Sequence, residues 1–378
     1  MSKLKPARLL LPLALFFALA HTAAAQTDTR NAISGLPDSQ AVLYLNAHRI
    51  IHEVLPRVMP PAEYAKMLNE AQKVGFDARG IDYVAVGARL ADPQPANNLP
   101  EFVVVIRGNF NADTLLALGR VAAGANNVTP RSETYGSKTL EIIDLESLNK
   151  KPAGAGGADG AKPKPMPYPE IAVMALDANT LVAGVPSYVK AVVDAAGGRG
   201  ALRPSMVDLG TRDPQALWSL TVELPPTLVD YLHKAGIPAN EQSDEMIRWV
   251  KQLSVAQGMD ALNYTMSASL LTDAPEHASA FSGLVRMGLV AVQTGLSSDA
   301  AKQTPKHKDY ARTQAMLNSL KTFVNRTEGN TLLLSVSVPQ KTVHELVKSE
   351  MTPVKRTVGV TTGKLPQAKR PRPRTRRR

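Results

Sequence analysis

An α+β fold made of two similar units is what this sequence predicts, on three observations. DSQAVLYL at residues 38 to 45 returns as DPQALWSL at 213 to 220. ANTLVAGVPSYVKAVVDA at 178 to 195 matches GNTLLLSVSVPQKTVHELVKS at 329 to 349, each a strand running into a helix that opens with Val-Pro. Between these echoes, short apolar strands and helical stretches follow one order in both halves, βααββα and then βα. Mainly antiparallel sheets in a ferredoxin-like order, βαββαβ with helices over one face, are therefore expected.

In the first unit, AVLYL (41 to 45) reads as a buried strand and HRIIHEVLPRV (48 to 58) as a helix. EYAKMLNEAQKVG (63 to 75) reads as a second helix, closed by Gly75. IDYVAVGARL (81 to 90) and EFVVVIRGNF (101 to 110) are strands, and TLLALGRVAAG (114 to 124) is a helix capped by Asn111 or Asp113. A hairpin follows near 129 to 144, and a second at 170 to 185 turns on Asp177, Ala178 and Asn179. PSYVKAVVDAAGG (186 to 198) places Pro186 in the first turn of a helix and glycine after its end.

The second unit repeats that skeleton. ALWSLTVEL (216 to 224) is its strand, and PPTLVDYLHKAG (225 to 236) and DEMIRWV (244 to 250) are its two helices. KQLSVAQG (251 to 258) and ALNYTMSASLL (261 to 271) pair across Met259 and Asp260. A long apolar helix runs from Asp273 to about Gly295, and an additional helix covers Tyr310 to Val324. TLLLSVSV (331 to 338) then leads into a last helix at 339 to 350. Arg286, His277 and Gln293 within the long helix predict burial in a folded body rather than a membrane span.

The two ends carry different signals. Lys3, Lys5 and Arg8 precede a twelve-residue apolar run, Leu9 to Ala20, and small residues ending in Ala23, Ala24 and Ala25. That is the order of a secretory signal peptide cleaved after Ala25, and the run is shorter than the ~20 residues a bilayer requires. A periplasmic or secreted protein is expected. With no cysteine, such a protein relies on its hydrophobic core rather than on disulfides. The domain plan is a signal peptide at 1–25, a first domain at 33–200 containing a flexible Gly/Pro/Lys loop at 149–169, and a second domain at 205–350. A disordered basic tail occupies 351–378.

Net charge is +11, of which the signal peptide holds three. Another eight charges belong to Lys364, Lys369, Arg370, Arg372, Arg374, Arg376, Arg377 and Arg378, which leaves the body formally neutral. The tail is the candidate anionic-surface binder, for lipid headgroups or an acidic envelope polymer, and the neutral body argues against nucleic acid.

Catalytic and metal patterns are weak. His48 and His52 with Glu53 lie on one helix face but have no third ligand at a recognisable spacing. Ser187 and Lys190 make Ser-x-x-Lys without its companion motifs, so helix capping is the better expectation. GAGGADGAK lacks the Gly-Lys-Ser/Thr ending of a phosphate loop, and Glu141 with Asp144 is read as a solvated pair. No catalytic residue, cofactor or metal is assigned. Aromatic residues make up 5% of the chain, too few for a platform that stacks sugars or bases.

LPDSQAVLYLNAHRIIHEVLPRV, followed by VAVGARL, EFVVVIRGNF and ALDANTLVAGVPSYVKAVVDAA, resembles a group of uncharacterised secreted proteins of acidobacteria. The resemblance covers most of residues 36 to 200 and implies export and fold, with no activity attached. The expected function is binding or scaffolding in the cell envelope. The alternatives are a periplasmic hydrolase with a site between the domains, or a carrier of an apolar ligand whose cavity the long helix lines.

Overall fold

The computed structural model describes residues 26–73, 75, 77–90, 100–125, 128–146, 167–234, 238, 240–304 and 308–351. The predicted signal segment, most of the loop at 149–169 and the basic tail from residue 352 lie outside the described residues. Helix α1 (Gln26–Ser34) leads into β1 (Ala41–Leu45). A helical stretch follows, made of α2 (Ala47–Arg49), a π-helical turn (Ile50–Val54) and α3 (Leu55–Val58). Pro56 has no N–H to give, so the regular ladder cannot run through this stretch, and the Leu55 N–H reaches back to the Ile50 carbonyl.

Next come α4 (Pro61–Lys73), β2 (Ile81–Arg89), β3 (Glu101–Gly108) and α5 (Ala112–Ala125). Strands β4 (Arg131–Tyr135), β5 (Lys138–Asp144), β6 (Glu170–Asp177) and β7 (Thr180–Gly184) precede α6 (Pro186–Ala196) and α7 (Pro204–Gly210). The second half holds β8 (Ala216–Glu223), α8 (Leu228–Lys234), α9 (Glu241–Trp249), β9 (Val250–Met259) and β10 (Asn263–Thr272). It closes with α10 (Pro275–Lys302), α11 (Lys308–Leu320), β11 (Val324–Glu328), β12 (Thr331–Pro339) and α12 (Gln340–Met351).

All twelve strands of the described residues join one antiparallel sheet in the order β11-β12-β10-β9-β8-β1-β2-β3-β7-β6-β5-β4. Outward from its centre, β8-β9-β10-β12-β11 mirrors β1-β2-β3-β7-β6, and β5-β4 extends the first half. The echoed octapeptides supply β8 and β1, which are neighbours. Tyr44 faces Ser219, its counterpart in the echo, while Leu43 faces Leu220 and Leu45 faces Trp218. That register relates the two strands by a local two-fold axis perpendicular to the sheet.

The sheet is mixed with helices as expected of an α+β chain, but the ferredoxin-like order does not form. In that order the strands flanking the first helix are separated by a third strand. Here β1 and β2 pair directly, because the chain leaving β1 turns through α2 and α3 at the end of the sheet before it re-enters beside β1. Two helices absent from the sequence reading, α1 and α7, cover the centre of one face. Ile33, Leu36, Met206 and Val207 from these segments join Val42, Tyr44, Val103, Val105, Val182 and the α6 residues Tyr188 and Val192 in the main core cluster. A second cluster, around Val54, Leu55, Val58, Leu217, Met259 and Tyr264, unites the chain after β1 with strands of the second half. The long helix differs from expectation as well: Ala278 and Ser282 are its buried residues, and Met287 and Val290 are 63% and 60% exposed.

Close backbone approach fixes Gly184 in β7. A Cβ there would stand 2.3 Å from the Phe102 carbonyl oxygen and 2.8 Å from Val103 Cα, both backbone atoms that cannot swing away. Gly184→Ala is expected to lower unfolding free energy by about 1–3 kcal/mol, measured by urea denaturation.

Candidate ligand-binding face

Side chains alternate across a strand, so each strand of this sheet presents two faces. On β1, Val42 and Tyr44 are each 1% exposed under α1, α6 and α7, whereas Leu43 and Leu45 point the other way and are half-buried. An antiparallel sheet with one covered face normally turns polar residues outward on the other. This sheet does not.

The register traces an unbroken apolar row along that second face: Leu334, Ala268, Val255, Leu220, Leu43, Val86, Val104, Ala183 and Val173. These nine residues come from nine adjacent strands, a span of roughly 38 Å at ~4.8 Å per strand. Each is half-buried, and none belongs to either core cluster. In the second half the alternation is strict. Leu220, Val222, Leu253 and Val255 take this face, while Ser219, Thr221 and Ser254 take the opposite one.

A polar residue tied to a helix bounds the row at each end. Beyond Leu334 lies Asn325, whose Oδ1 accepts from the Ser282 hydroxyl of α10 at 2.7 Å and whose amide donates to the Ser282 carbonyl at 3.0 Å. Beyond Val173 lies Glu141, which accepts from the Ser132 hydroxyl and pairs with Arg120 of α5 at 3.2 Å. Helices α5 and α10 occupy equivalent places in the two halves, each following the third strand of its set, and they stand over the two flanks of this face. Both are apolar on their outer sides as well, with Val121 71% exposed on α5 and Leu284, Met287, Val290 and Val292 exposed on α10. The result is an apolar trough with a sheet floor and two helical banks.

The next row repeats the pattern with one change. Val336, Met266, Gln257, Trp218, Leu45, Val84, Ile106, Leu181 and Ala175 stand side by side. Gln257 is the one polar side chain among them. Its Oε1 accepts a hydrogen bond from Trp218 Nε1 at 2.7 Å.

Apart from Glu141, which bounds the row, the residues weighed for chemistry are placed elsewhere and serve the fold. His48 and His52 lie with ring centroids 4.5 Å apart and ring planes tilted by 37°, and His52 Nε2 is bonded to the Arg79 carbonyl at 2.9 Å. Among the described residues there is no group of three or more metal-ligating side chains. Ser187 donates to Glu101 at 2.5 Å, while Lys190 pairs with Glu133 at 2.5 Å, so the Ser-x-x-Lys side chains engage different carboxylates. Glu141 is buried rather than solvated, because Arg120 and Ser132 compensate its charge. Tyr188 shares a 2.5 Å hydrogen bond with Ser39 beneath α6, and burial pushes its phenol up to about 12. Among the described residues no helix is long and apolar enough to cross a membrane.

Burial opposes ionisation of Glu101, but hydrogen bonds from Ser187 and Arg89 outweigh it and hold the carboxyl below its usual value. A depressed carboxylate stabilises the fold above its unfolded pKa of ~4.3, and that stabilisation is lost as pH falls through the folded value. The stability gap between wild type and Glu101→Gln, measured by urea unfolding, is therefore expected to be full at pH 6 and to shrink as the solution is acidified.

The sequence search missed the trough because its residues look like ordinary strand residues one at a time. The available signal was the combination of alternating strands in the second half with wholly apolar strands in the first.

No protein-family model matches the chain, and no curated protein matches it. Among solved structures the chain is similar to TP0453 in crystal form III, with a TM-score of 0.39 and 8% identity over 85% of this chain and 98% of TP0453. Crystal form I of TP0453 gives a TM-score of 0.38 and 9% identity over 84% and 97%.

Proposed function

We propose that this chain is an exported protein that binds an apolar, acyl-chain type of ligand along the second sheet face, between α5 and α10. The observation that carries the reading is the nine-residue apolar row, half-buried across nine strands where solvated polar residues are the rule. Ligand sites of this kind combine a largely apolar lining with very few polar groups, and the two rows are apolar apart from Gln257. The signal-like N-terminus and the resemblance to secreted proteins support export. We also read the two halves as copies of one unit, on the repeated strand order and the two-fold register of β1 with β8.

The test is titration of the mature protein with a fluorescent long-chain acyl probe, followed by competition with an unlabelled long-chain ester. Saturable binding that the ester displaces supports the reading. Absence of binding, with a sedimentation coefficient that rises with concentration, would make the face a self-association surface instead.

The basic tail is proposed as a loose electrostatic tether. Each basic residue contributes up to ~1 kcal/mol at an anionic surface, before screening by salt. Deleting residues 364 to 378 is expected to abolish co-sedimentation with anionic vesicles, and high salt should do the same to the intact chain.

A further inference from the structure

We infer that the bound chain carries an uncharged acyl carbonyl, as an ester or amide, and that the Gln257 side-chain amide donates a hydrogen bond to its oxygen. The inference rests on the apolar-ligand reading above. Gln257 is 1% exposed and lies between Trp218 and Met266 in a row otherwise made of apolar side chains. An indole N–H can only donate, so the bond from Trp218 fixes the Gln257 oxygen as acceptor and assigns the NH2 group to the other branch of the amide. That nitrogen is buried and has no hydrogen-bond partner among the described residues. Buried donors in folded proteins are nearly always paired, so an orphan in an apolar trough points to an acceptor that arrives with the ligand.

The chemistry of that acceptor is constrained. A plain hydrocarbon would leave the amide unpaired. A carboxylate would have to shed its water in rows that hold no cationic side chain, which is more costly than burying a neutral oxygen. An ester or amide carbonyl meets both conditions. Met266, unbranched and flexible, is the neighbour able to move aside for the incoming oxygen.

The experiment uses the mature full chain and three probes of equal length: a methyl ester with a 13C-labelled carbonyl, an n-alkane and a free carboxylate. Wild type is expected to bind the ester about tenfold more tightly than the alkane, the value of one good neutral hydrogen bond. The labelled carbonyl band should shift to lower frequency on binding. Gln257→Leu should bind ester and alkane alike, with no band shift. Equal affinity of wild type for ester and alkane overturns the inference. So does an ester preference that survives in Gln257→Leu, since the donor to the carbonyl would then lie elsewhere. If wild type binds neither probe, the apolar-ligand reading itself fails. Should Gln257→Leu not fold, the wild-type band shift and movement of the Gln257 amide proton resonance on ester binding decide alone.

Discussion

Leu43→Asp is expected to reduce affinity for the acyl probe at least about a hundredfold, because a carboxylate displaced from water without a partner costs several kcal/mol. Leu43 stands at the centre of the apolar row, beside the two-fold pair of Tyr44 and Ser219, so a ligand lying across the sheet must pass over it. Its side chain is half-buried, so the substituted carboxylate keeps contact with water in the unliganded protein and the fold survives. Circular dichroism and a cooperative urea transition check that condition. Val86→Asp, the facing position on β2, is the companion variant and should behave in the same way. Retention of probe affinity in both folded variants would place the ligand elsewhere.

Tyr44→Ala is expected to do the opposite, one residue along the same strand. Tyr44 is 1% exposed in the main core cluster, with its ring 6.1 Å from that of Tyr83. Truncating a large buried aromatic residue costs about 3–5 kcal/mol. Leu43→Ala, by contrast, removes a side chain that the folded state leaves only partly covered, and a smaller loss of about 1–2 kcal/mol is expected. Urea denaturation of the two variants measures the difference. Equal losses would mean that both faces are sealed, leaving no accessible trough.

Much of the fold was legible in the sequence. The echo of residues 38 to 45 at 213 to 220 marked the strands that become the centre of the sheet, and the Val-Pro starts located α6 and α12. Strand pairing was not legible. Element order alone cannot say that β1 turns back beside β2, because that depends on how α2 and α3 sit at the end of the sheet. Helix α7 is short and α1 lacks an apolar repeat, so neither shows a helical period, yet Met206, Val207 and Ile33 seal the covered face. AVLYL reads as a buried strand and EFVVVI as a strand, and continuous apolar runs of this kind usually mean burial on both sides. The structure buries one side of them and leaves the other half-open. The alternation in β8 and β9 did specify one apolar face, but only the β8 to β1 register joins that face to the first half. Gln257 became distinctive only once its neighbours across the sheet were known.

Photo-crosslinking tests the central claim most directly. A long-chain ester carrying a diazirine is irradiated with the mature protein, and the labelled peptides are mapped. The trough predicts labels on alternate residues of the central strands, at Leu43, Val86, Val104 and Leu220, with Val42 and Tyr44 unlabelled. Labels confined to the outer side of α10, at Leu284 and Met287, or absent from β1 and β8, would contradict it.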